Sequence, residues 1–116
     1  NFGEDLVINP RDESVYYWDK SGGTGSRAVV LGSLSNAQSP PTSAKIVLVS
    51  DNDRHVIAFG CNPQGSTTQD PLLVRFSSQG AANDWAATAT NTAGDLTIGS
   101  GSDVSHVRFE TMCLTI

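Results

Sequence analysis

Lys20–Leu34 reads KSGGTGSRAVVLGSL, which sets glycines, hydroxyls and basic residues ahead of an apolar run. Those residue types are the ones that cradle phosphate. A phosphate-binding loop has the form G-x-x-x-x-G-K-[ST] between a strand and a helix. Its lysine contacts the anion, its hydroxyl holds the metal, and the helix N-terminus adds partial positive charge. Here Gly25 is followed by Ser26 and Arg27, and the next residues, Ala28–Leu31, are β-prone. The lysine is out of place and no helix follows. The stretch Ser21–Ser26 is therefore expected to be a turn between strands, where glycines supply positive φ.

The other candidates for chemistry are weaker. Asp51 and Asp53 in SDNDRH offer oxygens to calcium, but the further ligands and distal Glu of an EF-hand loop are missing. Asn and Asp also suit the turn of a hairpin. His55 and His106 lie far apart, with no Cys, His or Glu at zinc-ligand spacing. No G-x-S-x-G elbow marks a nucleophilic serine. The carboxylates are spread along the chain and mostly border turns, so no pair stands out for glycoside hydrolysis. No catalytic residue, metal ligand or cofactor site is expected, and the chain is not read as an enzyme. Tyr16 and Trp18 fall on one face of a strand, with Tyr17 on the other. Together with Trp85 they are the candidates for stacking a ligand such as a sugar ring. Packing in a core is the ordinary alternative for rings of this size.

Composition narrows the classes. The chain has 116 residues, enough for one domain over 1–116, and 38% of them are hydrophobic. The net charge is −5 with only 16% charged residues, and the seven Lys and Arg form no basic patch. Nucleic acid is an unsuitable partner for such a surface. No apolar run approaches the roughly 20 residues that span a bilayer, so no membrane contact is expected and the isolated chain should be soluble. Cys61 and Cys113 each sit in an apolar run. Two buried thiols or one bridge both fit, and two cysteines make no disulfide framework. The chain begins NFGED and ends MCLTI. Both ends look cut from a longer polypeptide.

The periodicity is that of short strands: Asp5–Pro10, Ser14–Lys20, Arg27–Leu34, Lys45–Asp51, His55–Cys61, Leu72–Ser78, Gly94–Ser100 and Ser105–Ile116. Gln79–Thr90 suits either a helical turn or a loop into an edge strand holding Trp85. The pattern predicts an all-β fold, an antiparallel meander of short strands, with sandwich, barrel and propeller all compatible. The expected core comprises Val7, Ile8, Val29, Leu31, Ile46, Leu48, Val56, Ala58, Leu73 and Phe76. One internal echo favours propeller-blade-like hairpins. An apolar strand, an Asn-Pro turn and an aromatic strand occur twice, with Asn9-Pro10 matching Asn62-Pro63.

Over most of its length the chain resembles bacteriophage tail and DNA-stabilisation proteins, long β-rich virion components, several of which have propeller bodies. The stretches that carry the resemblance are DLVINPRDESVYYWD, SGGTGSRAV, VSDNDRHVIAFG, GSTTQDPLLVRFS, NDWAATATNTAGDLTIGSGS and VSHVRFETMCLTI, the last being the weakest. The resemblance implies a piece of a virion structural protein that assembles with its own copies or with neighbouring virion proteins. It brings no active-site residues. A carbohydrate-binding β module, with a glycan as partner, is the alternative function. Self-association is expected through sheet edges, with Ser105–Ile116 in the interface.

If Ser21–Ser26 is only a turn, ATP should not raise the melting temperature. Arg27→Ala should change stability by no more than about 0.5 kcal/mol, as an exposed substitution does. Calorimetry with and without ATP checks both.

Overall fold

Short runs of β-branched and aromatic residues, stopped by Gly, Pro and Asn, fold into short antiparallel strands. The computed structural model describes residues 2–50, 52–99 and 101, and the backbone of 108–110 and 113–115. β1 (Leu6–Ile8), β2 (Tyr16–Trp18) and β3 (Val29–Val30) form a three-stranded meander. β4 (Ile46–Val49), β5 (Val56–Phe59), β6 (Leu73–Phe76) and β7 (Gly94–Thr97) form a four-stranded one. β8 (Arg108–Glu110) pairs with β9 (Cys113–Thr115). Every strand pair is antiparallel and neither meander closes into a barrel. The fold is all-β, as the sequence predicts. Helix is confined, among the described residues, to two short 3-10 turns, Lys20–Gly22 and Leu31–Ser33. No helix among these residues is long and apolar enough to cross a membrane.

Residue alternation decides what each sheet buries. Val7 and Tyr17 are paired across β1 and β2, and both pack on the main core. Val47, Val49, Val56, Ala58 and Leu73 reach the same core from the four-stranded sheet. Phe2, Val15, Leu31, Ala44, Cys61, Ala82 and Trp85 complete it. The opposite face of the four-stranded sheet carries a second cluster, Phe59 and Val74 with Ile46, Leu48, Ile57 and Ile98. Leu31, Val56, Ala58 and Leu73 are thus core residues as expected, and Val7 is half-buried against them. Ile8 and Val29 correct the expectation: they are 40% and 42% exposed. Ile8 is one residue out of phase with Val7, and Val29 lies on a two-residue edge strand. Phe76 is half-buried, its ring edge-on to His55.

The Asn-Pro echo has a structural basis. In the β1–β2 connection, Asn9 Nδ2 donates to the Glu13 carbonyl at 3.1 Å, and Glu13 N donates to the Pro10 carbonyl at 3.0 Å. In the β5–β6 connection, Asn62 Nδ2 donates to the Ser66 carbonyl at 2.6 Å, and Ser66 N donates to the Pro63 carbonyl at 3.1 Å. The same two bonds, at the same spacing, fold both turns. Each turn leads from one strand to its antiparallel partner.

Gln79–Thr90 is neither helix nor edge strand. Its fixed point is Trp85, whose backbone N donates to the Gln38 carbonyl at 2.9 Å while Gln38 N donates to the Asn83 carbonyl at 2.8 Å. The indole Nε1 donates to the Ala82 carbonyl at 2.8 Å. Polar loops on both sides thereby seat a large ring in the core. Trp85→Ala should cost about 3–5 kcal/mol, as the loss of a buried aromatic does. Trp18→Ala, at a half-exposed position, should cost about 1 kcal/mol. Urea denaturation of the two variants measures the contrast.

Candidate functional site

Leu6 pairs with Trp18, Ile8 with Tyr16, and Tyr16 with Val30. Because Val7 and Tyr17 point inward, these five residues share the outer face of the three-stranded sheet. Leu6, Ile8 and Val30 are 39%, 40% and 38% exposed, with Tyr16 and Trp18 half-buried among them. None of the five carries a charge. The structure thus brings two of the three stacking candidates, Tyr16 and Trp18, onto one accessible surface. It separates Trp85 from them. That ring is only 2% exposed and belongs to the core, so it offers no face to a ligand. Sequence alternation located the pair. Ile8 was missed because an apolar strand residue is ordinarily assigned to the core, and Leu6 and Val30 were assigned to no face.

The Gly-rich stretch borders this face and is a self-contained turn. Asp19 Oδ1 accepts the Ser21 backbone N–H at 2.8 Å and its hydroxyl at 2.7 Å. Gly22 N and Gly23 N bond back to the carbonyls of Asp19 and Lys20, and Ser26 N to that of Gly23. Amides spent within the turn do not point at an anion, and the chain continues into β3 rather than a helix. Ser26 contributes instead to the aromatic face: its carbonyl accepts the Trp18 indole N–H at 3.0 Å, which fixes the ring beside the turn.

Below this face, the Tyr17 hydroxyl donates to Asp5 Oδ2, and Lys20 N donates to Asp5 Oδ1 at 3.0 Å. The two bonds tie the start of β1 to the end of β2. The phenol bond first, and the backbone N–H second, hold the Asp5 carboxyl below its usual range. Burial first, and then the carboxylate, push the Tyr17 phenol well above its usual value. A depressed carboxylate and a phenol held protonated make a structural bond, not an acid–base pair poised near neutral pH.

The remaining titratable candidates fall in three places. His55 Nδ1 lies 2.7 Å from the Ser77 carbonyl, at the edge of the β5–β6 pair. Cys61 is a free thiol inside the core, and burial pushes it up to about 11. Asp51, His106 and the Cys113 side chain lie outside the described residues. Among the described residues no three His, Cys, Asp or Glu come together as metal ligands.

Arg75 is the residue that sequence reading passed over. It sits on β6, on the face that carries Leu73, and is 2% exposed. Its Nη1 donates to the Asn62 carbonyl at 3.3 Å, and its Nη2 to those of Ser39 at 2.6 Å and Trp85 at 3.2 Å. The guanidinium carbon lies 5.8 Å from the centre of the Trp85 ring. A lone Arg between Val74 and Phe76 in a strand draws no notice by residue type. The signal lies in the alternation, which puts Arg75 in phase with inward Leu73.

Against protein-family models, curated proteins and solved structures, the chain has no match.

The Asp5–Tyr17 bond gives stability a pH dependence with a definite sign. Asp5 titrates lower when folded, so its contribution is present above about pH 4, the unfolded value, and is lost as the pH falls through the folded value. Tyr17 titrates higher when folded, so stability falls again as the pH rises above about 10. Tyr17→Phe should be less stable than the parent at pH 7. The difference should narrow toward pH 3, and the variant should lack the alkaline decline due to Tyr17. Urea midpoints across pH test this.

Proposed function

We propose that the chain is a non-catalytic structural module that assembles through the outer face of its three-stranded sheet, as part of a virion protein of the bacteriophage tail or DNA-stabilisation type. The observation that carries the assembly reading is the uncharged face formed by Leu6, Ile8, Tyr16, Trp18 and Val30. A contiguous apolar patch on the surface is what an interface requires. Aromatic residues at its centre match the composition of interface cores. The virion assignment rests on the quoted stretches of sequence. The β4–β7 meander, four antiparallel strands in sequential order, has the strand arrangement of one propeller blade and is compatible with such a parent. The expected contribution of Ser105–Ile116 concerns side chains outside the described residues, so the proposed interface is placed on β1–β3.

One observation favours a second reading. Tyr16 and Trp18 are two residues apart on the same outward face, with Trp18 held by Ser26. Rings spaced about 7 Å apart along a strand can stack neighbouring sugar units. A glycan array on the isolated chain distinguishes carbohydrate binding from assembly.

For assembly, light scattering should show a dimer or larger species at tens of micromolar, a concentration matched to an affinity of about 1–10 μM. Ile8→Lys combined with Val30→Lys should return it to a monomer with an unchanged circular dichroism spectrum, since both positions are solvent-exposed. A parent chain that is already monomeric would overturn self-assembly through this face.

A further inference from the structure

A cavity of about 230 Å³ opens between the Ser39–Thr42 segment and the Asn62–Thr67 turn, with Arg75 in its wall. Three features set it apart from an incidental gap. First, Arg75 is a buried cation with no carboxylate in direct contact among the described residues. Its three bonds all run to neutral carbonyls, and among the described residues it forms no ion pair. Asp95 lies opposite it across β6–β7 but is exposed and unpaired with it. Cys61 is a neutral thiol at physiological pH. Burial pulls the arginine below its ordinary value, and the more distant Asp95 carboxylate offsets this only in part.

Second, the chain carries a net charge of −5, yet no Asp or Glu lines this cavity. Third, the wall is rich in unspent polar groups. Among the described residues, the side chains of Ser39, Thr42, Gln64 and Thr67 line the cavity and make no hydrogen bond to protein. The rim is also rigidly set. Asn62 Oδ1 accepts the backbone N–H groups of Thr42 at 2.8 Å and Ser43 at 3.2 Å, which ties one wall to the other. Ser39, immediately before Pro40, is held at φ 51°, a conformation disfavoured for a serine and further disfavoured before proline. Its carbonyl is thereby aimed at Arg75.

We propose that this cavity binds a small hydroxylated carboxylate, such as a single uronic acid unit, with Arg75 supplying the charge and the hydroxyl and amide side chains meeting the ligand hydroxyls. The size fits, because the volume is below the roughly 300 Å³ at which drug-sized pockets begin. The chemistry fits because a carboxylate compensates a desolvated guanidinium more strongly than any neutral acceptor. This site is separate from the β1–β3 face and does not rest on the assembly proposal.

The test is calorimetric titration of the whole chain at low salt with four probes: glucuronate, glucose, acetate and sulfate. Glucuronate should bind, and glucose and acetate should each bind at least about tenfold more weakly, since each lacks one half of the recognition. Sulfate should rank with acetate. Gln64→Glu, at an exposed turn position, should weaken glucuronate about three- to tenfold by placing a like charge at the rim. Its melting temperature should stay unchanged. Absence of glucuronate binding at about 10 mM, a Kd weaker than any working site, would overturn the proposal. So would glucose binding as well as glucuronate, acetate or sulfate matching it, or a Gln64→Glu variant that binds as the parent does.

Discussion

The buried guanidinium of Arg75 is the interaction on which the loops of this protein depend. Two strands can register through their own backbone bonds, but the segments around Ser39, Asn62 and Trp85 have no sheet to hold them. One planar cation gathers a carbonyl from each. Hydrogen bonds from a charged donor are worth about 1.5–3 kcal/mol each, against roughly 1 for a neutral pair. The cost is desolvation of the charge, and only a site that spends the donors well recovers it. The Trp85 ring, lying beside the guanidinium, adds an attraction to its π face. Loss of Arg75 would leave three inward carbonyls without their donor, so its effect would spread over all three segments at once.

A second level of organisation lies in the hairpins. The Asn-Pro turns at 9–13 and 62–66 use one pair of bonds each, made by residues four apart or fewer. The later turn adds a tertiary role, since the Asn62 side chain also receives two backbone N–H groups from Thr42 and Ser43. Asn9 has no such duty, and its Oδ1 is the one buried side-chain oxygen or nitrogen among the described residues that lacks a partner. A shared local motif has thus been put to a wider use in one copy.

Strand existence and fold class were legible in the sequence because short β-branched runs broken by Gly, Pro and Asn admit few alternatives. The opening Gly-rich stretch was legible as a turn for a similar reason, since neither lysine nor helix was in place. Burial was harder. Ile8 looks like core, but its neighbour Val7 takes the inner position and the pleat forces Ile8 outward. Trp85 looks like a surface platform within a polar segment, yet the Gln38 and Ala82 carbonyls satisfy its N–H groups and allow the ring inside. Alternation puts Arg75 in phase with inward Leu73, but local pattern does not show what its guanidinium meets. Its partners come from segments 36 and 13 residues before it and 10 residues after it, and composition carries no trace of such an arrangement.

The locality of the Asn-Pro turns bears on how the chain reaches this fold. Each turn closes through bonds between near neighbours, so the entropy lost in bringing β1 to β2, or β5 to β6, is small. Hairpins of this kind form in about 1–10 μs, well before distant segments meet. The three carbonyls around Arg75, in contrast, come from parts of the chain that must first be delivered by those hairpins. Folding should therefore proceed from two independent β nuclei, with consolidation around the guanidinium as the late, slower event. Substitutions in the turns would then alter the rate of folding, whereas substitutions around Arg75 would chiefly alter the rate at which the native state comes apart.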